Sequence, residues 1–296
     1  MVATGLGVDV RRSSFSPEPD CAIAQSLGVI GDGWELLIVR DLARGLHRFD
    51  QLADSLHISR KVLTERLTGL LESGIVERTA YQDRPTRYAY RLTPRGRALL
   101  PVLVALQDWG DRWLLGDGSL TGTNDADEPP AHRIHELIGR RVPAIALPSV
   151  AGTTVDVVDA DARATVLFGY PATGRPTPLP EGWGEIAGAN GCTLENRLFA
   201  ARYDEFVAKG IAVHGVSTQR TDEQQAFAEA EGIPHALLSD LELELTAALR
   251  LPTFRAGGYE RLKRVVLVIG ADRVVKAARY PVTDIADAVD WAFTTA

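Results

Sequence analysis

The stretch Gly118–Ala131, GSLTGTNDADEPPA, constrains this chain most, because the hydrophobic periodicity differs on its two sides. It is polar and acidic and closes on a Pro-Pro pair, so it reads as a linker. Before it, apolar residues recur at helical spacing in Ala22–Ile30, Trp34–Ala43, Phe49–Leu56 and the run after Ser59, where Leu63, Leu67, Leu70 and Leu71 share a face and Gly74 stops the helix. Two alternating runs, Ile75–Tyr81 and Arg87–Leu92, flank a turn with Pro85, and one long helix is expected from Pro94 to Leu115. Three helices, a two-stranded hairpin and a closing helix form the order of a winged helix-turn-helix.

Beyond the linker the order alternates. Strands are expected at Ala164–Tyr170, Ile211–Ser217 and Ala236–Ser239, with a hairpin of Val265–Gly270 and Val274–Tyr280. Helices are expected at Thr193–Lys209, Asp222–Glu231, Leu241–Leu249 and Asp284–Phe293, and a Pro/Gly-rich insertion follows the first strand. Such alternation implies an α/β sheet covered on both faces. The fold class is therefore multidomain, α+β and α/β: a tail over 1–14, a winged helix-turn-helix over 15–117, a linker over 118–131 and an α/β domain over 132–296.

Charge follows the same division. The chain carries a formal net charge of −7, yet Arg40–Arg97 holds 12 basic against 7 acidic residues, net +5. A locally basic segment in an acidic chain suits a double-stranded DNA operator rather than polyanions in general. The expected contacts are Ser59, Arg60, Lys61, Thr64 and Arg66 on the second helix of the turn, Arg48 ahead of the third helix, and Arg84 and Arg87 on the wing. A solvated basic helix face is the blander account of the same residues. No apolar run approaches the ~18 residues of a membrane span, and residues 1–19 lack a signal-peptide core, so a cytoplasmic protein is expected.

Two cysteines, Cys21 and Cys192, are too few for a disulfide framework or a zinc site. His132 and His135, three apart, have no carboxylate or thiol cluster around them, and neither Gly5-Leu6-Gly7 nor Gly257-Gly258 forms a phosphate-binding loop. No metal or cofactor is expected. Cys192, in Asn190-Gly191-Cys192-Thr193, falls where a loop turns into a helix. The helix dipole there favours an anion, which would lower the thiol pKa. Such a thiolate can attack a peroxide O–O bond. A buried thiol that only packs is the alternative.

The motifs Cys21…IGDGW…LLIVRDL…RFDQL…ISRKVLTERLTGLLESGIVER…RYAYRLTPRGRAL, over roughly Asp20–Trp113, resemble the HxlR family of winged-helix regulators. The resemblance implies a homodimer on DNA, paired through Ala22–Ile30 and Ala98–Leu115, with Cys21 at a redox-sensing position. The run LIGRRVPAIALP…TVLFGYPATG…GCTLENRLFAARYDEF…LLSD…RLKRVVLVI, over roughly Leu137–Ala292, resembles the peroxiredoxin-like redoxins of thioredoxin fold. That resemblance implies Cys192 as the peroxidatic residue, Arg264 as its cationic partner and Pro171 as its shield.

Two departures stand out. Arg197 occupies the position of a resolving Cys, and Ala189 that of a hydroxyl residue, for which Thr173 is a candidate replacement. Resolution would fall to an external low-molecular-weight thiol or to Cys21. The expected function is a DNA-binding regulator sensing peroxide or thiol oxidation at Cys192. The alternatives are a weak one-Cys thiol peroxidase carrying a DNA-binding module, and a regulator whose redoxin domain is only a dimerisation platform.

Overall fold

A computed structural model of the chain describes residues 18–296. The tail over 1–14 and Gly5-Leu6-Gly7 lie outside the described residues. The chain divides into two compact units, one ending at Leu100 and one running from Pro101 to Ala296.

The first unit opens with α1 (Ala22–Ile30), α2 (Gly33–Ala43), α3 (Phe49–Leu56) and α4 (Arg60–Glu72). Asp32 caps α2 by accepting from Trp34 N–H at 3.0 Å, and Ser59 caps α4 by accepting from Val62 N–H at 3.3 Å. Helix α2 packs on α3 and α4. Ile38, Val39, Leu42, Leu52, Leu63, Leu67 and Leu70 are buried; of the four leucines spaced along the fourth helix, Leu63, Leu67 and Leu70 are buried and Leu71 is half-buried. The wing is β1 (Val76–Asp83) paired antiparallel with β2 (Thr86–Leu92), with a bulge between Ala80 and Gln82. Its strands run closer to Arg84-Pro85 than the alternation indicated.

The long helix expected from Pro94 is broken into α5 (Pro94–Arg97) and α6 (Leu100–Trp113). Pro101 explains the break. It has no N–H to give the carbonyl of Arg97, and its ring crowds the preceding turn.

The second unit holds α6 from Pro101 onward, α7 (Pro129–His135), β3 (Ala146–Pro148), β4 (Thr154–Asp156), β5 (Ala164–Gly169), α8 (Cys192–Ala201), α9 (Tyr203–Ala208), β6 (Ile211–Ser217), α10 (Thr221–Glu231), β7 (Ala236–Ser239), α11 (Glu244–Leu249), β8 (Thr253–Ala256), β9 (Tyr259–Leu262), β10 (Val265–Gly270), β11 (Val275–Arg279) and α12 (Ile285–Thr295). Five strands form the main sheet in the order β11-β10-β5-β6-β7. Strands β5, β6 and β7 are parallel, whereas β10 runs antiparallel to β5 and β11. Successive residues of a strand face opposite sides. Val166, Phe168, Val266 and Val268 therefore enter one core with Phe199, Phe206 and Cys192, while Leu167, Leu267 and Ile269 enter the other with Ile134, Leu245 and Leu249. The helix expected over Thr193–Lys209 bends at Arg202 into α8 and α9.

The segment read as a linker makes specific contacts inside the second unit. Gly122 N–H donates to Ala187 O at 2.8 Å, and Asn124 Oδ1 accepts from Lys263 Nζ at 2.8 Å. Helix α6 is held in the same unit. Gln107 Nε2 donates to Leu251 O at 2.9 Å, and Asp111 forms a bidentate ion pair with the nearly buried Arg133 at 2.6 and 3.0 Å.

Candidate functional site

Cys192 is the first residue of α8, and Gly191 before it sits at φ 105°. A side chain at Gly191 would strain that backbone and place its Cβ 2.5 Å from Ile285 Cδ1, so the approach to Cys192 requires glycine. The Cys192 side chain is 3% exposed. Its Sγ–H donates to Ala189 O at 3.6 Å, and Arg264 Nη2 donates to Sγ at 3.6 Å and to Asn190 O at 2.9 Å. The sequence-predicted pair Cys192–Arg264 is thus brought together, with Arg264 just ahead of β10.

The direction of the thiol's pKa shift differs from expectation. Burial pushes the Cys192 thiol up from its ordinary value. The Arg264 guanidinium and the Ala172 N–H oppose this without overcoming it, and Glu195 adds to the rise. The helix N-terminus alone was expected to lower it. Desolvation wins because Cys192 lies in the apolar core cluster that includes Phe168 and Tyr170.

Glu195, which sequence reasoning missed, lies on the Cys192 face of α8 and is ion-paired with Arg264 Nη1. Both partners are almost wholly buried, and burial pushes the Glu195 carboxyl up to about 7. Its spacing of three from Cys192 on a helix was the available signal. Asn196 Nδ2 donates to Cys192 O at 2.9 Å, and His235 Nε2 lies 3.2 Å from Asn196 Oδ1. Because Oδ1 only accepts, His235 Nε2 carries the proton. Burial pushes the His235 pKa down to about 3, so the ring is neutral.

Pro171 is buried beside the site. Thr173 is buried too, but its Oγ1 meets Gln219 Oε1 at 3.3 Å and Arg175 O at 3.5 Å. Gln219 also accepts from Thr173 N–H at 2.8 Å, so this hydroxyl is committed to the Gln219 loop rather than offered to Cys192. Arg197, at the resolving position, is paired with Glu231. The insertion before Cys192 folds over a small apolar cluster of Ala172, Trp183, Ala189, Phe254 and Ala256.

In the first unit, Ser59, Arg60, Lys61 and Thr64 are exposed on the first two turns of α4. Ser59 Oγ accepts from the helix and Thr64 Oγ1 donates to Arg60 O at 2.8 Å, which leaves Ser59 a hydroxyl hydrogen and Thr64 its lone pairs. Arg60 stacks 4.9 Å from Phe49 and pairs with Asp50 at 3.0 Å. Arg66 turns inward: its guanidinium is paired with Asp32, the cap of α2, and its Nε is buried. It ties α4 to α2 instead of extending outward as expected. Arg48 is exposed and stacks on Tyr81 at 5.0 Å, while Arg84 and Arg87 are exposed at the wing tip. The exposed Arg78 and Arg91 add wing charges that the sequence reading passed over. Cys21 caps α1, accepting from Ala24 N–H at 3.5 Å, and both cysteines are free thiols. His132 and His135 are exposed on α7. No single helix among the described residues is long and apolar enough to cross a membrane; α1 and α2 reach that length only together, across a 74° bend.

Residues 29–117 match the HxlR-like helix-turn-helix family and residues 137–290 the Redoxin family. An uncharacterized HTH-type transcriptional regulator of Mycobacterium tuberculosis is 42% identical over 93 residues, 31% of this chain and 59% of that protein. One from Synechocystis is 40% identical over 95 residues, 32% of this chain and 70% of that protein. The chain thus spans 59% of the length of the mycobacterial relatives it matches. Among solved structures, peroxidoxin BcpB of Mycobacterium tuberculosis is 26% identical, covering 53% of this chain and 94% of that one, with a TM-score of 0.45. The bacterioferritin comigratory protein of Xanthomonas campestris is 21% identical, covering 51% and 88%, with a TM-score of 0.41. Helix α6 falls inside the helix-turn-helix match by sequence and inside the second unit by its contacts. The chain belongs to the HxlR-like helix-turn-helix family through residues 29–117 and to the Redoxin family through residues 137–290, a regulator-type DNA-binding domain fused to a peroxiredoxin-like one.

Proposed function

We propose that this protein is a transcriptional regulator whose affinity for a double-stranded DNA operator responds to peroxide or thiol oxidation at Cys192. The observation that carries the reading is the Arg264 guanidinium 3.6 Å from the Cys192 sulfur at the start of α8, in a redoxin domain fused to a helix-turn-helix. A cation there stabilises the developing thiolate and the negative oxygen of the peroxide as the O–O bond breaks. On the DNA side, Ser59, Arg60, Lys61 and Thr64 read the major groove, and Arg48, Arg84 and Arg87 hold flanking phosphates. The reading places the protein in the cytoplasm with the chromosome.

A second copy of the chain is the partner for two apolar surfaces. Ile23 and Leu27 stand out on α1, and Val102, Leu106, Trp109 and Trp113 form an exposed stripe on α6. Patches of this kind favour association.

Sensing is favoured over efficient peroxidase turnover by specific features of the site. The thiol is buried with its pKa pushed up, Thr173 is committed to Gln219, and Arg197 stands where a resolving thiol would be. Steady-state turnover of hydrogen peroxide with dithiothreitol measures this directly. The sensor reading predicts oxidation of one Cys192 equivalent per chain followed by slow turnover. Rapid turnover over hundreds of equivalents favours the peroxidase, and failure of Cys192 to oxidise favours a domain that serves only as a platform.

A further inference from the structure

Helix α6 continues into residues 116–124, and this segment crosses the loop that precedes Cys192. At the C-terminal end of α6, Arg112 Nε donates to Gly118 O at 2.7 Å, and Gly118 N–H donates back to Arg112 O at 2.9 Å. Gly122 N–H then donates to Ala187 O at 2.8 Å. The crossing is so close that a Cβ on Gly122 would lie 3.0 Å from both Ala187 O and Ala189 N, and one on Gly188, at φ +77°, would fall 2.8 Å from Thr123 Cβ. Two glycines therefore meet where the segment and the loop cross.

The far end of the segment is anchored on the residue next to Arg264. Asn124 Oδ1 accepts from Lys263 Nζ at 2.8 Å and from the buried Tyr280 hydroxyl, and Lys263 immediately precedes Arg264. Ala189, inside the crossed loop, is the residue whose carbonyl accepts the Cys192 thiol hydrogen.

We propose that residues 116–124 are a strap through which the oxidation state of Cys192 reaches α6. The inference rests on the reading of Cys192 as the oxidised residue and names how that site is coupled. A hydroperoxide supplies the oxidant. The Cys192 sulfur attacks the terminal peroxide oxygen, an S–O bond forms as the O–O bond breaks, and the leaving alkoxide takes the proton the thiol gave up. Sulfur loses two electrons, and the products are Cys192 sulfenic acid and an alcohol, or water from hydrogen peroxide.

The new oxygen arrives at a sulfur that has almost no exposure and sits 3.6 Å from Ala189 O. The S–H is replaced by the longer S–O–H group, whose added oxygen does not fit within the 3.6 Å between the buried sulfur and Ala189 O, so residues 187–189 must shift. The Gly122–Gly188 crossing leaves no slack for that shift. The Gly122–Ala187 hydrogen bond breaks, and the strap and the last turns of α6 loosen together.

The test is hydrogen–deuterium exchange on the full chain carrying Cys21→Ser, before and after one equivalent of hydrogen peroxide, with dimedone labelling to count Cys192 sulfenic acid. Peptides over 116–124 and the C-terminal half of α6 are expected to exchange about tenfold faster after oxidation, as loss of a protecting backbone hydrogen bond brings. Gly122→Ala forces the crossing apart. In that variant Cys192 is expected to label as before, while the strap exchanges fast in both states and no longer responds. Asn124→Ala, which releases the far anchor, is expected to act the same way if Gly122→Ala folds poorly. Full labelling of Cys192 with strap and α6 exchange unchanged overturns the strap and leaves the redox site standing. Absence of labelling in the parent overturns the redox site and the strap with it.

Discussion

Replacing Arg264 by Met removes the cation 3.6 Å from the Cys192 sulfur and strands Glu195, its buried ion-pair partner. At an effective dielectric of about 20, unit charges at this separation interact by about 4 kcal/mol. Solvent and the Ala172 N–H share the charge in the variant, and half of that value is still about a 30-fold loss in thiolate population. The assay is the rate of iodoacetamide alkylation at pH 7, followed by intact mass in a Cys21→Ser background so that only Cys192 reacts. Arg264→Met is expected to alkylate about 30-fold more slowly. It also loses about 3–5 kcal/mol of stability in urea, because Glu195 is left buried without its partner. The double variant Glu195→Gln/Arg264→Met recovers much of that stability while remaining slower than the parent. Alkylation of Arg264→Met within about twofold of the parent, in a variant that urea titration shows to be folded, would refute the claim that Arg264 sets the reactivity of Cys192.

Three further outcomes follow from the same geometry. Glu195→Gln removes the negative charge that raises the Cys192 thiol, so its alkylation at pH 7 is expected to speed up several-fold; no change or a slowing contradicts the assignment. His235 is held near pKa 3 in the fold against an ordinary value of 6.5, so the unfolded chain binds its proton first as pH falls. Its contribution is present above pH 6.5 and is lost through the window from 6.5 to 3, at up to about 1.4 kcal/mol per pH unit relative to His235→Gln. Urea midpoints of the two proteins at pH 7, 5.5 and 4.5 measure this, and a constant difference across that range would sink the argument. Lys61→Ala is expected to lower the salt dependence of DNA binding by about 0.9 in log–log slope, one phosphate's share, without changing sequence preference, as fluorescence anisotropy between 50 and 200 mM salt would show.

What could be read from the sequence tracks how locally each feature is determined. Helix α3 and strands β6, β7 and β10 fall where the periodicity placed them, because each is a distinct apolar pattern bounded by turn residues. The hairpins β3–β4 and β8–β9 went unseen because their three- and four-residue strands mix buried and exposed positions, whereas the equally short β7 is an almost continuous buried run. Pro101 was visible, yet the apolar run on both sides of it read as one helix. Around Cys192, Arg264 could be paired in advance by resemblance, whereas Glu195 is defined by a contact across 69 positions of sequence. The direction of the Cys192 pKa shift depends on burial against a helix dipole, and sequence shows the dipole but not the depth of burial. Arg66 illustrates the same limit: its place on α4 was legible, but its pairing with Asp32 was not.

The central claim is that oxidation at Cys192 changes DNA affinity, and the most direct measurement is the Kd of a duplex selected from a random-sequence pool by the reduced protein. Wild type and Cys192→Ser are each titrated after dithiothreitol and after one equivalent of hydrogen peroxide. The account predicts a change of about tenfold in the wild type, within the usual range of coupling between two sites. The change reverses with dithiothreitol and is absent in Cys192→Ser. An equal change in Cys192→Ser, or an unchanged Kd in wild type whose Cys192 is fully oxidised by mass, contradicts it.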